Sequence, residues 1–469
     1  MQQLERTVAK LYIFFLPIRM ITPLTFLQNY VGGCALNLDF VFHVLGLTLW
    51  FLNGGKIVVE KNAKKLWVLF LFIVGTYTFL NMWNATVYHD MLGVAYGEDS
   101  FRATLGNILY WLHYALIITY NLRVFQILGA EIVWKILDKL SICMAVIGYF
   151  QILVIMTRNT LICKLYDVIA GDILFMSSSY LLKENRITLT TTEPAHAGYI
   201  IVRLVLPLLL AYMIAEGLNR KILIKIAVWL PVIYFTKSSN AYILVSVELV
   251  VFAVLMTWKL AKSKRILLNV YSGTVLLAIG FGCVLIPFIL DKIDMSQVIY
   301  LVFQKITDKT NMSTAWRVAP LYINWEVFKD FPILGIGNGN QGFFYWEYFP
   351  DWAYDLLAGT KTMEWNSDEL PNGLLFFPSI LSGYGIVGII LFILFLLVAM
   401  MYMWSWRDGH RREFAFFFIA VLGVIVNGFS SDFVGCYDVW FIMSIPFLHH
   451  VIEKKEVCKS ERIMYSSSK

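Results

Sequence analysis

Apolar runs of about 20 residues recur along nearly the whole chain, each long enough to cross a ~30 Å hydrocarbon core as a helix. They fall at roughly 10–31, 38–54, 66–88, 105–127, 132–157, 195–216, 221–236, 240–260, 266–290, 373–403, 414–429 and 434–452. Inside lipid a spanning segment must satisfy its own backbone polar groups, and helices do so without a partner. The runs therefore predict an all-α integral membrane protein, with about twelve transmembrane helices in one polytopic domain over 1–469. Charge content agrees, at 15% of 469 residues against about a quarter in soluble domains. The first run is not a cleavable signal peptide: it contains Pro17 and Arg19, is too long for an h-region and lacks a clear small-residue cleavage site.

Basic residues mark one side of this bundle. They cluster at Lys61/Lys64/Lys65, Arg220/Lys221, Lys259/Lys262/Lys264/Arg265, Arg407/Arg411/Arg412 and in the tail from Lys454. With twelve spans, all of these share a side with both termini, and the positive-inside rule makes that side the cytoplasm. They read as topology signals, so no nucleic-acid partner is expected. Six cysteines (34, 143, 163, 283, 436 and 458) are scattered without a CxxC, which predicts neither a disulfide framework nor a zinc site. No His/Cys/Asp/Glu cluster has recognisable ligand spacing, so neither a metal nor another cofactor is expected.

Two longer segments are then left on the extracytoplasmic face, about 158–194 and about 291–372. The second holds six Lys/Arg against eleven Asp/Glu and far exceeds the usual helix connection of ~2–8 residues. Within it, "STAWRVAPLYINWEVFKDF" spaces Trp316, Leu321, Trp325 and Phe328 at roughly helical intervals, with Ser313 as the candidate N-cap, so this loop is expected to be partly helical. The bland account is an amphipathic helix on the membrane surface. "FPILGIGNGNQGFF" follows; its glycines predict backbone N–H groups open to an anion or a sugar, with Asn338 and Asn340 as candidate substrate contacts. Its GxGxG lacks the βαβ context of a dinucleotide fingerprint. Nine aromatic residues come next, among them Tyr345, Phe349, Trp352 and Trp365. Such rings stack on sugar faces, and they also gather at membrane interfaces.

The stretch "RITLTTTEPAHAGYIIVRL", Arg186 to Leu204, places four ionisable groups at the mouth of a span. With Pro194 as the first helical residue and ~100° per residue, Glu193, His196 and Arg203 share one stripe. Charge at that depth faces a bundle interior or a watery cavity. Each residue also has a structural account: Glu193 as a cap, His196 as an interfacial hydrogen-bonding group, Arg203 as half of an ion pair.

This order of features resembles the O-antigen polymerase and O-antigen ligase superfamily of membrane glycosyltransferases. "RITLTTTEPAHAG" is similar to the family's arginine and "EPS" start of a span. "WRVAPLYINWEVFKDFPILGIGNG" is similar to its "R…W…F…P-L-G-x-G" segment. "ELPNGLLFFPSILSGYGIVGIILF" resembles its asparagine followed by "L-x-x-x-G-I-x-G". "TKSSNAYI" at 236–243 is similar to a Thr-x-Ser-Arg-Gly turn, with that arginine and glycine replaced. The resemblance covers most of 180–400 in order and topology.

The resemblance implies transfer of an oligosaccharide from polyprenyl pyrophosphate onto a sugar hydroxyl, outside the cytoplasm and without nucleotide donor or metal. Lipid-linked oligosaccharide would be both donor and acceptor, at the inner or plasma membrane of a bacterium, with a chain-length regulator as a further partner. Arginine forks suit a leaving pyrophosphate, which nominates Arg186 and Arg317, then Arg203. Asn372 is a further candidate contact. The acceptor hydroxyl needs a base, for which Glu193, His196, Asp368 and Glu369 are the candidates.

The ligase branch carries a histidine in its second large loop, whereas here no histidine lies between His196 and His410. That departure favours a polymerase for O-antigen, capsule or exopolysaccharide over a ligase. A flippase or secondary transporter is the non-enzymatic alternative; such proteins often show repeats and broken midplane helices, and no internal repeat is visible here.

Overall fold

The structure is a computed structural model that describes residues 1–18, 37–57, 61–171, 177–191, 193–217, 219–261, 308–358, 370–371, 375–433 and 436–448. Helices dominate it, with one two-stranded antiparallel ribbon pairing Val94 with Asp99 and Ala95 with Glu98. Among the described residues, five helices are long and apolar enough to cross a membrane: Ala63–Val87, Ala130–Thr157, Pro194–Glu216, Ser239–Thr257 and Phe376–Trp404. The chain is thus an all-α membrane protein. Further helices lie on other apolar runs, including Leu38–Leu52, Ser100–Leu128, Arg220–Thr236 and Arg411–Asn427. The expected span at 266–290 and most of that at 10–31 lie outside the described residues.

Pro194–Glu216 is the central helix. Of its most apolar stretch 94% is buried, against 33–44% in the other four spanning helices. A helix that is apolar around most of its girth is stable only when enclosed, and Arg203, a charge at its middle, finds its partner inside the bundle. Its middle turn, Ile201–Val205, is a π-helix. Pro207 explains the position: it cannot donate to the Arg203 carbonyl and its ring crowds that oxygen, so the turn just upstream widens.

The second long loop is anchored onto a break in Phe376–Trp404, where Gly385 takes φ 64° and ψ −160°. Across this break the loop and the helix exchange four backbone hydrogen bonds. Ile336 N donates to Ser382 O at 3.1 Å and Gly337 N to Gly383 O at 2.8 Å, while Ile386 N donates to Pro332 O at 2.9 Å and Val387 N to Ile333 O at 3.3 Å. Backbones approach so closely that a Cβ at Gly335 would lie 2.3 Å from the Gly383 carbonyl carbon, and one at Gly385 2.3 Å from Ile333 O. The helix ending at Val87 clasps the same joint. Its Asn81 accepts from Asn338 N at 2.7 Å, Asn84 donates to Leu334 O at 3.0 Å, and Tyr77 stacks on Tyr384 at 4.1 Å.

Above the joint, the loop has a small core of its own. The helix Met312–Asp330 buries Ala315, Ala319, Ile323 and Val327, and Tyr345, Phe349, Ala353 and Leu357 close over them. Tyr345 and Phe349, two of the rings nominated for sugar stacking, are therefore core. Asn311, not Ser313, caps this helix: its side chain accepts from Ser313 N and Thr314 N, which leaves the Ser313 hydroxyl for Arg317. Leu321, Tyr322 and Trp325 face outward on the same helix.

Gly385→Ala tests the joint. Left-handed backbone costs a non-glycine residue roughly 1–3 kcal/mol, and here the new methyl also meets the Ile333 carbonyl. The variant should lose thermal stability in detergent, whereas Gly75→Ala, with nothing within 4 Å of the added Cβ, should not.

Candidate functional site

Arg186 is set by a tightly held segment. From Ile187 to Thr191 the chain is buried, and Gln151 clamps it by accepting from Thr188 N at 3.0 Å and Leu189 N at 2.8 Å and donating to Leu189 O at 2.9 Å. Ile187 N donates to Phe235 O at 3.0 Å, joining this segment to the end of Arg220–Thr236. The Arg186 guanidinium donates through Nε to Thr236 O at 3.0 Å, which leaves the other face of its fork available. Arg317 projects from the first turns of Met312–Asp330 and donates to Ser313 Oγ at 2.7 Å.

The charge of Arg317, from the second loop, reaches Arg186 in the first. Burial lowers the Arg186 pKa and the Arg317 charge lowers it further, while Tyr180, Glu184 and Tyr242 oppose that shift. Tyr180 joins Glu193 to the same neighbourhood: burial raises its pKa, and Glu184 and Glu193 add to the rise. Lys237, in the turn after Thr236, is also lowered by burial and by Arg186. Backbone contacts thus set Lys237 beside Arg186, and the charges of Arg317, Glu184 and Glu193 act on this neighbourhood. Neither composition nor spacing singled out Lys237, Tyr180 or Glu184; only "TKSSNAYI", quoted for its likeness to a motif, held the first of them.

Pro194 is the first helical residue, as its sequence position predicts, and exposed Glu193 occupies the N-cap position without a side-chain cap bond. His196 is half-buried with its ring 5.7 Å from that of Tyr199. Arg203 lies within the π-turn. It faces the bundle interior, with Nη1 3.2 Å from Asp438 Oδ2 and Nη2 donating to Asn427 Oδ1. The rings of Tyr199 and Phe433 flank its guanidinium at 5.1 and 5.3 Å. This charge is already matched. Beyond Asp438 the polar interior continues through the Tyr437 hydroxyl, 2.9 Å from His113 Nε2.

Asn338 and Asn340 belong to the joint. The amides from Gly335 to Asn340 all donate within the protein: to Phe331 O, Ser382 O, Gly383 O, Asn81 Oδ1, Gln341 Oε1 and Gly337 O. The glycine segment is therefore no open anion cradle, and its glycines serve close backbone packing. Asn338 Oδ1 accepts from Gln341 at 2.8 Å and buried Asn340 donates to Ile336 O at 2.9 Å. Asp368, Glu369 and Asn372 lie outside the described residues. Among the described residues no group of three or more His, Cys, Asp or Glu could hold a metal ion.

Residues 226–362 match the O-antigen ligase family model. The matched segment begins within Arg220–Thr236 and includes Lys237, Arg317 and the glycine-rich joint, while Arg186 and Glu193 precede it. The match agrees with the O-antigen polymerase and ligase superfamily and, with the apolar helices, points to a bacterial membrane protein. Comparison with curated proteins returned no match.

The Arg203–Asp438 pair makes a stability prediction. Removing one partner of a buried pair costs about 3–5 kcal/mol, whereas replacing both by apolar groups is often neutral. Arg203→Leu and Asp438→Leu should each lower the unfolding temperature in detergent. The double variant should recover most of that loss.

Proposed function

We propose that this protein is a polysaccharide polymerase of the extracytoplasmic membrane face. It transfers lipid-linked oligosaccharide repeat units from polyprenyl pyrophosphate onto a sugar hydroxyl, building O-antigen, capsule or exopolysaccharide. The reading is carried by Arg186 and Arg317, from two separate loops, whose charges act on one another and neither of which has an ion-pair partner among the described residues. The family match, to membrane glycosyltransferase-like enzymes, supports the same chemistry.

In the reaction the acceptor oxygen bonds to the anomeric carbon as the bond to the pyrophosphate oxygen breaks. That leaving oxygen takes the electron pair, and the two guanidinium groups stabilise the growing charge. A carboxylate takes the acceptor proton; Glu193, exposed and near Tyr180, is the described candidate, with Asp368 and Glu369 as the others. Arg203 is left out of the anion site, since Asp438 meets its charge. The ligase reading shares all of this chemistry and is favoured by the description of the matching family. The histidine-free stretch between His196 and His410 favours polymerase.

Removing a charge-stabilising donor of this kind costs about 2.7–4 kcal/mol, or ~10²–10³ in rate. Arg186→Ala and Arg317→Ala should therefore abolish long polymer while the protein still accumulates in the membrane. Arg→Lys should be intermediate, because the charge stays and the planar fork is lost. Polymer length on a gel, normalised to membrane protein, is the measurement; near-normal polymer from abundant Arg317→Ala protein would remove Arg317 from the site.

The reading also assigns leaving-group stabilisation to protein cations alone. Polymerisation by the reconstituted protein should then continue in EDTA. Loss of activity in EDTA, restored by a divalent ion, would contradict that assignment.

A further inference from the structure

We propose that Lys237 is a third cation of the site, bridging the two phosphates of a polyprenyl pyrophosphate together with Arg186 and Arg317. The inference rests on the reading of those two arginines as anion ligands and adds a residue to it.

Lys237 follows the last residue of Arg220–Thr236, where its amide donates to Tyr234 O at 3.1 Å and its φ is +44°. Glycine and asparagine are the residues that take a left-handed conformation at helix ends. A lysine is uncommon there, though allowed, and a reason for its side chain is wanted. The neighbouring segment supplies one. Arg186 donates to Thr236 O and Ile187 N to Phe235 O, both at 3.0 Å, so the roots of Arg186 and Lys237 sit side by side on one junction. Both residues are half-buried.

Burial and Arg186 lower the Lys237 pKa. Burial lowers that of Arg186; Tyr180, Glu184 and Tyr242 oppose that shift, and Arg317 adds to it. Among the described residues, no carboxylate forms an ion pair with Arg186, Lys237 or Arg317. Three gathered cations repel one another, and a ligand charged on two phosphates turns that repulsion into binding. Two planar forks and one point-charge ammonium are suited to such a ligand. A helix C-terminus also favours a cation, so the test must separate charge toward a ligand from capping.

The test uses the full-length protein in lipid nanodiscs, with farnesyl pyrophosphate and farnesyl monophosphate as binding probes. Lys237→Asn removes the charge with a residue that tolerates the left-handed backbone, and Lys237→Arg retains the charge. One charge-assisted contact corresponds to about tenfold or more in affinity. Lys237→Asn should bind the pyrophosphate about tenfold more weakly and the monophosphate with a much smaller loss, while Lys237→Arg stays close to the unchanged protein. Equal binding by Lys237→Asn would overturn the proposal. So would equal losses in both variants, which would assign the position to capping, or equal losses on both probes, which would reduce it to a diffuse field.

Binding is read without any transfer step. Normal binding and normal polymer from Lys237→Asn would retire Lys237 and leave the polymerase reading intact. The expected binding pattern, with no polymer from the unchanged protein, would keep Lys237 and retire the polymerase reading.

Discussion

Four backbone hydrogen bonds between the glycine-rich segment and the broken helix hold the second loop to the membrane bundle. A helix broken in its apolar length frees donors and acceptors that cost several kcal/mol each if left in lipid. Here Pro332, Ile333, Ile336 and Gly337 supply the missing partners. The exchange works only if the two backbones touch, which is why Gly335, Gly383 and Gly385 carry no side chain. Arg317 stands on the helix that this joint positions. Without the joint, nothing described would bring Arg317 to Arg186.

Two kinds of arginine emerge from the same chain, and their surroundings separate them. Arg203 is enclosed by Asp438, Asn427 and two rings, and its charge is answered inside the bundle. Arg186 and Arg317 rest on carbonyl and hydroxyl oxygens, which orient a guanidinium without forming an ion pair. Orientation without neutralisation is what an anion site requires before its ligand arrives. Clamping by Gln151 fixes the Arg186 segment in advance, so little ordering remains to be done on binding.

Much of this was legible in the sequence. Apolar runs located the helices, and Pro194 marked the start of the central one. What escaped depends on contacts far apart in the chain. Ser313 looked like a cap because local spacing allowed it, yet Asn311 two residues earlier reaches the same amides. The π-turn at Ile201–Val205 went unforeseen, because Pro207 widens it from one turn further on. The glycines looked open to a ligand because their partner, the break at Gly385, lies some fifty residues later. Lys237 went unnoticed for the same reason: Arg186 comes beside it only through the folded junction.

The enclosed central helix has a consequence for how the protein is made. Asp438 follows Arg203 by 235 residues and Asn427 follows it by 224. At roughly 5–20 residues per second of synthesis, Arg203 waits on the order of ten to fifty seconds for its counter-charge. A lone arginine at the centre of a membrane helix costs about 2.5–3.5 kcal/mol on insertion scales. Until the last helices arrive, the nascent chain therefore holds an unanswered charge in the bilayer, a natural handle for insertion chaperones and membrane proteases. Arrival of Asn427 and Asp438 removes that handle. The ion pair thereby distinguishes a finished molecule from an interrupted one.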